Sequence, residues 1–317
     1  MNNDLKFIVS YSPHILDKSS VNRIMLDVVI ALIPSLIAGI VIFGWRSLLI
    51  TSVCVLSCIS FEAVFQKIVK KPVTVSDFSA VITGMLLAFN LPVGIPVWQA
   101  VFGSFIAIVL VKQLFGGLGK NFANPALTAR IVMFLTFSVA MTTWVPVQDL
   151  VTGASPLGVT GATPLALLKS GDTEMLPSLL NMFTGNRGGS LGETSALAIL
   201  LGGIYLLIRR VIKWYIPVSF MGTVFILTAV MGQEPLYHLL AGGLFLGAFF
   251  MATDYVTSPQ TDKGRIIFGI GCGIFTVVIR LYGSYPEGVS FAILFMNVLV
   301  PYINKLTIRK ALGSVKT

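Results

Sequence analysis

Ten apolar runs, most of them about 20 residues long, constrain this chain more than any other feature. They cover 24–43, 47–68, 79–91, 94–115, 124–143, 191–209, 214–232, 236–251, 266–283 and 288–303. A helical run of that length matches the hydrocarbon thickness of a bilayer. Of the 317 residues 55% are hydrophobic and only 11% charged; a soluble domain carries roughly a quarter charged. The chain therefore reads as an all-α polytopic membrane protein. The run 24–43 is too long for a signal-peptide core and has no cleavage site behind it. It reads as a retained first helix after a polar segment, 1–23.

The net charge of +9 does not gather into one patch. No basic face with interleaved aromatics exists, which excludes nucleic-acid binding. The basic residues recur in clusters between the apolar runs, as they do when they set topology. With the N-terminus inside and ten spans threaded, 18 Lys and Arg fall on the inner side, Lys112 and Arg130 among them. The outer side receives 4: Arg46, Lys169, Arg187 and Arg280. This asymmetry predicts two cytoplasmic termini, an extracytoplasmic loop over 144–190 and a cytoplasmic tail over 304–317.

The runs divide evenly about that loop, into 24–143 and 191–303. Phe102-Gly103 precedes Leu114-Phe115-Gly116 in the first half, and Phe268-Gly269 precedes Leu281-Tyr282-Gly283 in the second. The third run of each half is short. Five spans per half force the second to be inverted. The expectation is two inverted five-helix repeats with short or broken third and eighth helices, and a site where those two meet. Broken helices need a protein-buried or wet surrounding.

Few residues offer chemistry of their own. Cys54 and Cys58 lie on one helix face and Cys272 on another, without the further ligands a metal needs, so they read as packing residues. Gly269 and Gly273 have the small-xxx-small spacing of close helix contact. Asp27, Glu62 and His238 fall in or near spans, where ionisable groups are costly unless paired or functional; Glu62 with Lys67 reads as an interfacial pair. No catalytic constellation emerges. In GGLGKNFANPAL (116–127), Asn121 and Asn124 read as helix caps, with a polar contact to a ligand as the alternative.

One segment is unlike the rest. VTGASPLG (151–158) is followed by VTGATPLA (159–166), identical at six of eight positions. Gly and Pro make each copy a turn. The small neighbours of Thr163 leave its hydroxyl sterically open, and an outer loop would give a modifying enzyme access. Only the second copy has room for a helix behind it, with Pro164 at the first position.

Four segments carry a family resemblance over essentially the whole chain: GGLGKNFANPALTAR (116–130), VTGATPLALLKSG (159–171), GNRGGSLGETSALAILLGG (185–203) and FMATDYVTSPQTDKGR (250–265). The chain resembles a family of membrane proteins with two branches. One is RnfD, from the Rnf complex, an ion-translocating ferredoxin:NAD oxidoreductase. The other is its homologue in the sodium-translocating NADH:quinone reductase. The first helix begins at Ile24 without the longer extension of the quinone-reductase homologue, which favours the Rnf side. The resemblance implies FMN joined by a phosphoester to the threonine that ends an S/T-G-A-T motif. Here that motif is Thr160-Gly161-Ala162-Thr163, followed by Pro164, so Thr163 is the implied residue. Ser155 ends the first copy with serine instead. Phosphate at Thr163 would lie near the N–H groups opening the following helix.

The resemblance also implies a second, non-covalent, riboflavin-like flavin toward the cytoplasmic side. Asn121, Asn124, Asp254 and Thr257 are its candidate contacts. The implied role is an electron relay between ferredoxin-side and NAD-side centres, in a bacterial or archaeal cytoplasmic membrane, coupled to Na+ or H+ export. Its partners would be flavin- and iron–sulfur-bearing subunits and a flavin transferase; no metal site and no complete active site is expected on this chain. A quinone-reductase-like relay, a non-redox transporter or channel, and a structural scaffold are the alternatives.

Overall fold

A computed structural model describes residues 20–144, 163–172, 176–283 and 287–308. Among them there is no strand, only an isolated bridge between Pro92 and Ser190. The first half begins with α1 (Val21–Phe43), whose cap Ser20 accepts from the Arg23 N–H. Gly44, at φ +73°, turns the chain directly into α2 (Trp45–Ile68). Then come α3 (Ser79–Phe89), α4 (Val97–Phe105) with its π-helical continuation Ile106–Gln113, α5 (Pro125–Thr136) and the short α6 (Ser138–Thr142).

Two short helices follow, α7 (Pro164–Ser170) and α8 (Leu179–Thr184). The second half holds α9 (Ala196–Ile208), α10 (Tyr215–Val230), α11 (Pro235–Leu240) and α12 (Leu244–Leu246), which continues as a π-helix over Gly247–Met251. It closes with α13 (Asp262–Tyr282) and α14 (Val289–Thr307). By length and composition α1, α2, α13 and α14 can each cross a membrane, while α3, α4, α5, α9 and α10 are shorter apolar helices. Together these mark a multi-pass membrane protein.

The third and eighth runs depart from a plain span. α3 has 11 residues and is entered through Phe78 at φ +62°. The eighth run is cut at 241–243, and Gly243, at φ +67°, opens α12. The sixth run is shorter than expected, because 190–195 is irregular and α9 starts only at Ala196.

Each break exposes main-chain carbonyls that lipid cannot satisfy. Arginine side chains answer them. Arg46 Nε donates to Val93 O (2.9 Å), and its Nη2 reaches Gly94 O and Ile95 O, just past α3. Arg280 donates to His238 O (2.6 Å) and Ala241 O (2.9 Å) at the cut between α11 and α12. Arg187 donates to Leu240 O (2.6 Å) at the same cut. The Lys169 ammonium bonds Gly283 O. So the four cations that sequence reading assigns to the outer side all serve main-chain carbonyls.

Packing explains the glycine spacing on α13. A Cβ at Gly269 would lie 1.9 Å from Ser219 Oγ, and one at Gly273 would lie 2.6 Å from Thr223 Cβ. α13 and α10 can meet at this distance only because both positions lack a side chain. Cys54, Cys58 and Cys272 are fully buried among apolar side chains.

Candidate functional site

Thr163 lies at the N-cap of α7. Its Oγ1 accepts from the Ala166 N–H (3.3 Å) and Pro164 occupies the first turn. The residue is 7% exposed, so the hydroxyl is not the open group that small neighbours suggest. The fold packs Leu165 beneath it against Met182 and Ala241. Thr160, Gly161, Ala162 and Ser155 lie outside the described residues. Thr163 and Pro164 line a small cavity together with Arg187, Gly188, Gly189, Glu193 and Glu287. A second, larger cavity shares Leu165 with it and is walled by Lys169, His238 and Arg280.

The charges behind this cavity form one network. Arg130, from α5, is 7% exposed. Its Nη1 donates to Glu193 Oε1 (2.7 Å), Asn90 Oδ1 (2.6 Å) and Ser290 Oγ (3.0 Å), and its Nη2 donates to Glu287 Oε2 (2.6 Å). One guanidinium thus holds two carboxylates from distant segments. Burial pushes the Glu287 carboxyl up to about 7 against the pull of Arg130. It pushes the Arg187 guanidinium down to about 10. A buried charge is tolerated when paired and hydrogen-bonded.

Segment 187–195 is drawn into the core rather than looping over it. Leu191 N–H donates to Leu91 O (3.1 Å) and Gly192 N–H to Phe89 O (3.0 Å), which closes the end of α3. A Cβ at Gly243 would sit 2.5 Å from the Glu193 carboxylate. The turn that breaks the eighth run therefore also makes room for Glu193.

The other candidate residues gather elsewhere. Asn121, Asn124 and Asp254 line an open cleft, with Ser79, Lys112 and Phe250 also in its wall. Asn124 caps α5 by accepting from Ala126 N–H (3.0 Å) and Leu127 N–H (3.3 Å), and its Nδ2 donates to Met251 O (3.4 Å). Asn121 Oδ1 is buried without a hydrogen-bond partner among the described residues. Burial raises the Asp254 carboxyl. Thr257 does not reach the cleft wall; its hydroxyl donates to Asp254 Oδ2 (3.2 Å) and so positions that side chain. Asn297, with its amide nitrogen facing the carbonyls, donates to Thr257 O (3.0 Å) and accepts from Asn124 N–H (3.2 Å).

Sequence reading places Glu62 at an interface beside Lys67. The fold instead buries it to 1% exposure and pairs it with Lys112 (2.7 Å), itself 1% exposed. Gln113 Nε2 (3.0 Å) and Gln66 Nε2 (3.3 Å) also donate to Glu62 Oε1, and Lys112 donates to Ser79 Oγ (2.6 Å). Lys112 and Arg130 are thus internal partners of carboxylates, not topological charges. Asp27 accepts from Tyr205 OH (2.9 Å) and Arg209 (3.1 Å), whereas both His238 ring nitrogens are buried without a partner among the described residues. Sequence reading misses Glu193, Glu287, Arg187 and Arg280 as site residues. The local signal for two of them is GNRGGSLGET at 185–194, which serves there only as a mark of resemblance.

A model of the NQR2, RnfD, RnfE family matches residues 8–313. Three relatives are RnfD-type members of ion-translocating oxidoreductase complexes. The chain is 50% identical over 318 residues to the one from the Na(+)-translocating ferredoxin:NAD(+) oxidoreductase complex of Acetobacterium woodii, covering 99% of this chain and 98% of that protein. It is 43% identical over 316 residues to the one from the proton-translocating ferredoxin:NAD(+) oxidoreductase complex of Clostridium ljungdahlii, covering 95% and 94%. It is 42% identical over 329 residues to the one from the ion-translocating oxidoreductase complex of Stutzerimonas stutzeri, covering 93% of each.

Proposed function

The chain belongs to the NQR2, RnfD, RnfE family, and on that footing we propose that it carries FMN on Thr163 and relays electrons within an ion-translocating ferredoxin:NAD oxidoreductase complex. The observation that carries this reading is the placement of Thr163 on the wall of a cavity backed by buried arginines. FMN when bound supplies the one- and two-electron chemistry, and the protein supplies position and electrostatics. Arg130 fixes Glu193 and Glu287 at the back of the cavity. Leu165 anchors the turn behind Thr163. The cavity at Thr163 itself has room for little more than one small group, and the adjoining cavity, which shares Leu165 with it, is the larger of the two.

The open cleft is the proposed seat of a second, non-covalent flavin. Asn121 and Asp254 would contact it, while Asn124 and Thr257 hold the two turns that present them. In this reading the chain lies in the cytoplasmic membrane with both termini inside. Thr163 faces the outer side, where a flavin transferase acts, and the cleft faces the inner side. The αL entries at Phe78 and Gly243, each opening a short helix of its half, support two inverted five-helix repeats. Flavin- and iron–sulfur-bearing subunits would pass electrons to and from the two sites. Relatives are named for Na+ and for protons, so membership leaves the coupling ion to be measured.

The test is flavin itself. A denatured chain from the complex fluoresces in a gel, and Thr163→Ala abolishes that signal and electron transfer through the complex. A dark wild-type chain would favour a non-redox transporter.

A further inference from the structure

We infer that Arg187 is the counter-ion of the phosphate on Thr163. The inference rests on the reading that Thr163 carries FMN. Arg187 is 6% exposed and lines the same small cavity as Thr163. Among the described residues no carboxylate bonds it. Its Nε donates to Thr194 O (3.3 Å), and its Nη2 donates to Glu193 O (3.0 Å) and Leu240 O (2.6 Å). Nη1 reaches only the Met182 sulfur (3.6 Å), a weak acceptor. One strong donor is left for an oxygen in the cavity.

The charge balance around it points to the same ligand. Arg130, Arg187 and Arg280 are each buried, and Glu193 and Glu287 are the carboxylates among them. Arg130 takes both carboxylates by direct contact. With both carboxylates ionised, the group is left with a single surplus positive charge, equal and opposite to the one negative charge of a phosphodiester. Arg280 donates to His238 O and Ala241 O, its Nε has no partner among the described residues, and it lines the neighbouring cavity rather than the one at Thr163. That leaves Arg187 as the guanidinium that lines the cavity with Thr163. A guanidinium is well matched to phosphate, and it stays charged where burial lowers its affinity for a proton.

The experiment compares Arg187, Arg187→Lys and Arg187→Gln in the assembled complex, produced with its flavin transferase. Covalent flavin per chain should stay within about twofold for Lys and fall at least about fivefold for Gln. Melting is then followed by flavin fluorescence for the loaded chains, and by tryptophan fluorescence in a Thr163→Ala background without the phosphate. The Arg-to-Gln drop in melting temperature should shrink by at least half in that background, because Arg187 has lost its counter-charge. Equal drops in both backgrounds, equal flavin loss in Lys and Gln, or full flavin in Gln would each overturn the counter-ion role. A wild-type chain without covalent flavin would instead overturn the Thr163 reading.

Discussion

The two candidate sites are built by different means. The cleft is walled at Asn121, Asn124 and Asp254 by two turns, each contiguous in sequence, and its buried ion pair is one lysine with one glutamate. The cavity at Thr163 is backed by charges from separate segments, with one arginine shared between two carboxylates. A one-to-one pair can be removed as a unit. A shared cation cannot, because any single deletion leaves a charge behind. Buried pairs cost little when replaced together and a great deal when halved.

The largest expected effect tests that difference. Arg130→Met strands Glu193 and Glu287 together, and should cost about 3–5 kcal/mol or more, seen as loss of the monodisperse complex in fluorescence-detected chromatography. Lys112→Met should cost about 3–5 kcal/mol by stranding Glu62 alone. Adding Glu62→Gln should recover most of that loss. No recovery would mean that the pair acts through more than its own charges.

Smaller effects sharpen the comparison. Gly243→Ala adds a Cβ at φ +67° and 2.5 Å from the Glu193 carboxylate. The αL cost is about 1–2 kcal/mol. The melting temperature should fall and covalent flavin decline, with the cleft unaffected. Wild-type melting temperature should also fall as pH rises from 5 to 8. The folded Glu287 carboxyl, raised to about 7, keeps its proton more tightly than an ordinary carboxyl at 4.5. Stability from that proton is complete below 4.5 and is lost as pH rises through about 7. Glu287→Gln should flatten this dependence. Asn121→Ala should change stability least, since its Oδ1 has no partner among the described residues, yet it should lower extractable flavin and leave covalent flavin intact.

Legibility in the sequence followed the range of each interaction. Four of the spans, the short third helix, the cap at Asn124 and the α13 glycines come from local periodicity and spacing, and they are visible in the fold. The cut at 241–243 left its mark as Gly242-Gly243. Arg130 had no local signal, because its carboxylates lie 63 and 157 residues away. Glu62 was misjudged for the same reason: Lys67 is near in sequence, but Lys112, 50 residues on, is near in space. Counting basic residues by position places Lys112 and Arg130 among the inner-side charges that set topology. Only the fold says which of them were already neutralised. Thr163 was legible as a cap before Pro164, whereas its burial depends on Leu165 meeting Met182 and Ala241.

The most direct test of the central claim is peptide mass spectrometry on the chain taken from the complex. The account predicts one FMN, less water, on the peptide holding Thr163. Thr163→Ala should abolish it, and Ser155→Ala should leave it unchanged. FMN on Ser155, or on neither residue, would contradict the account.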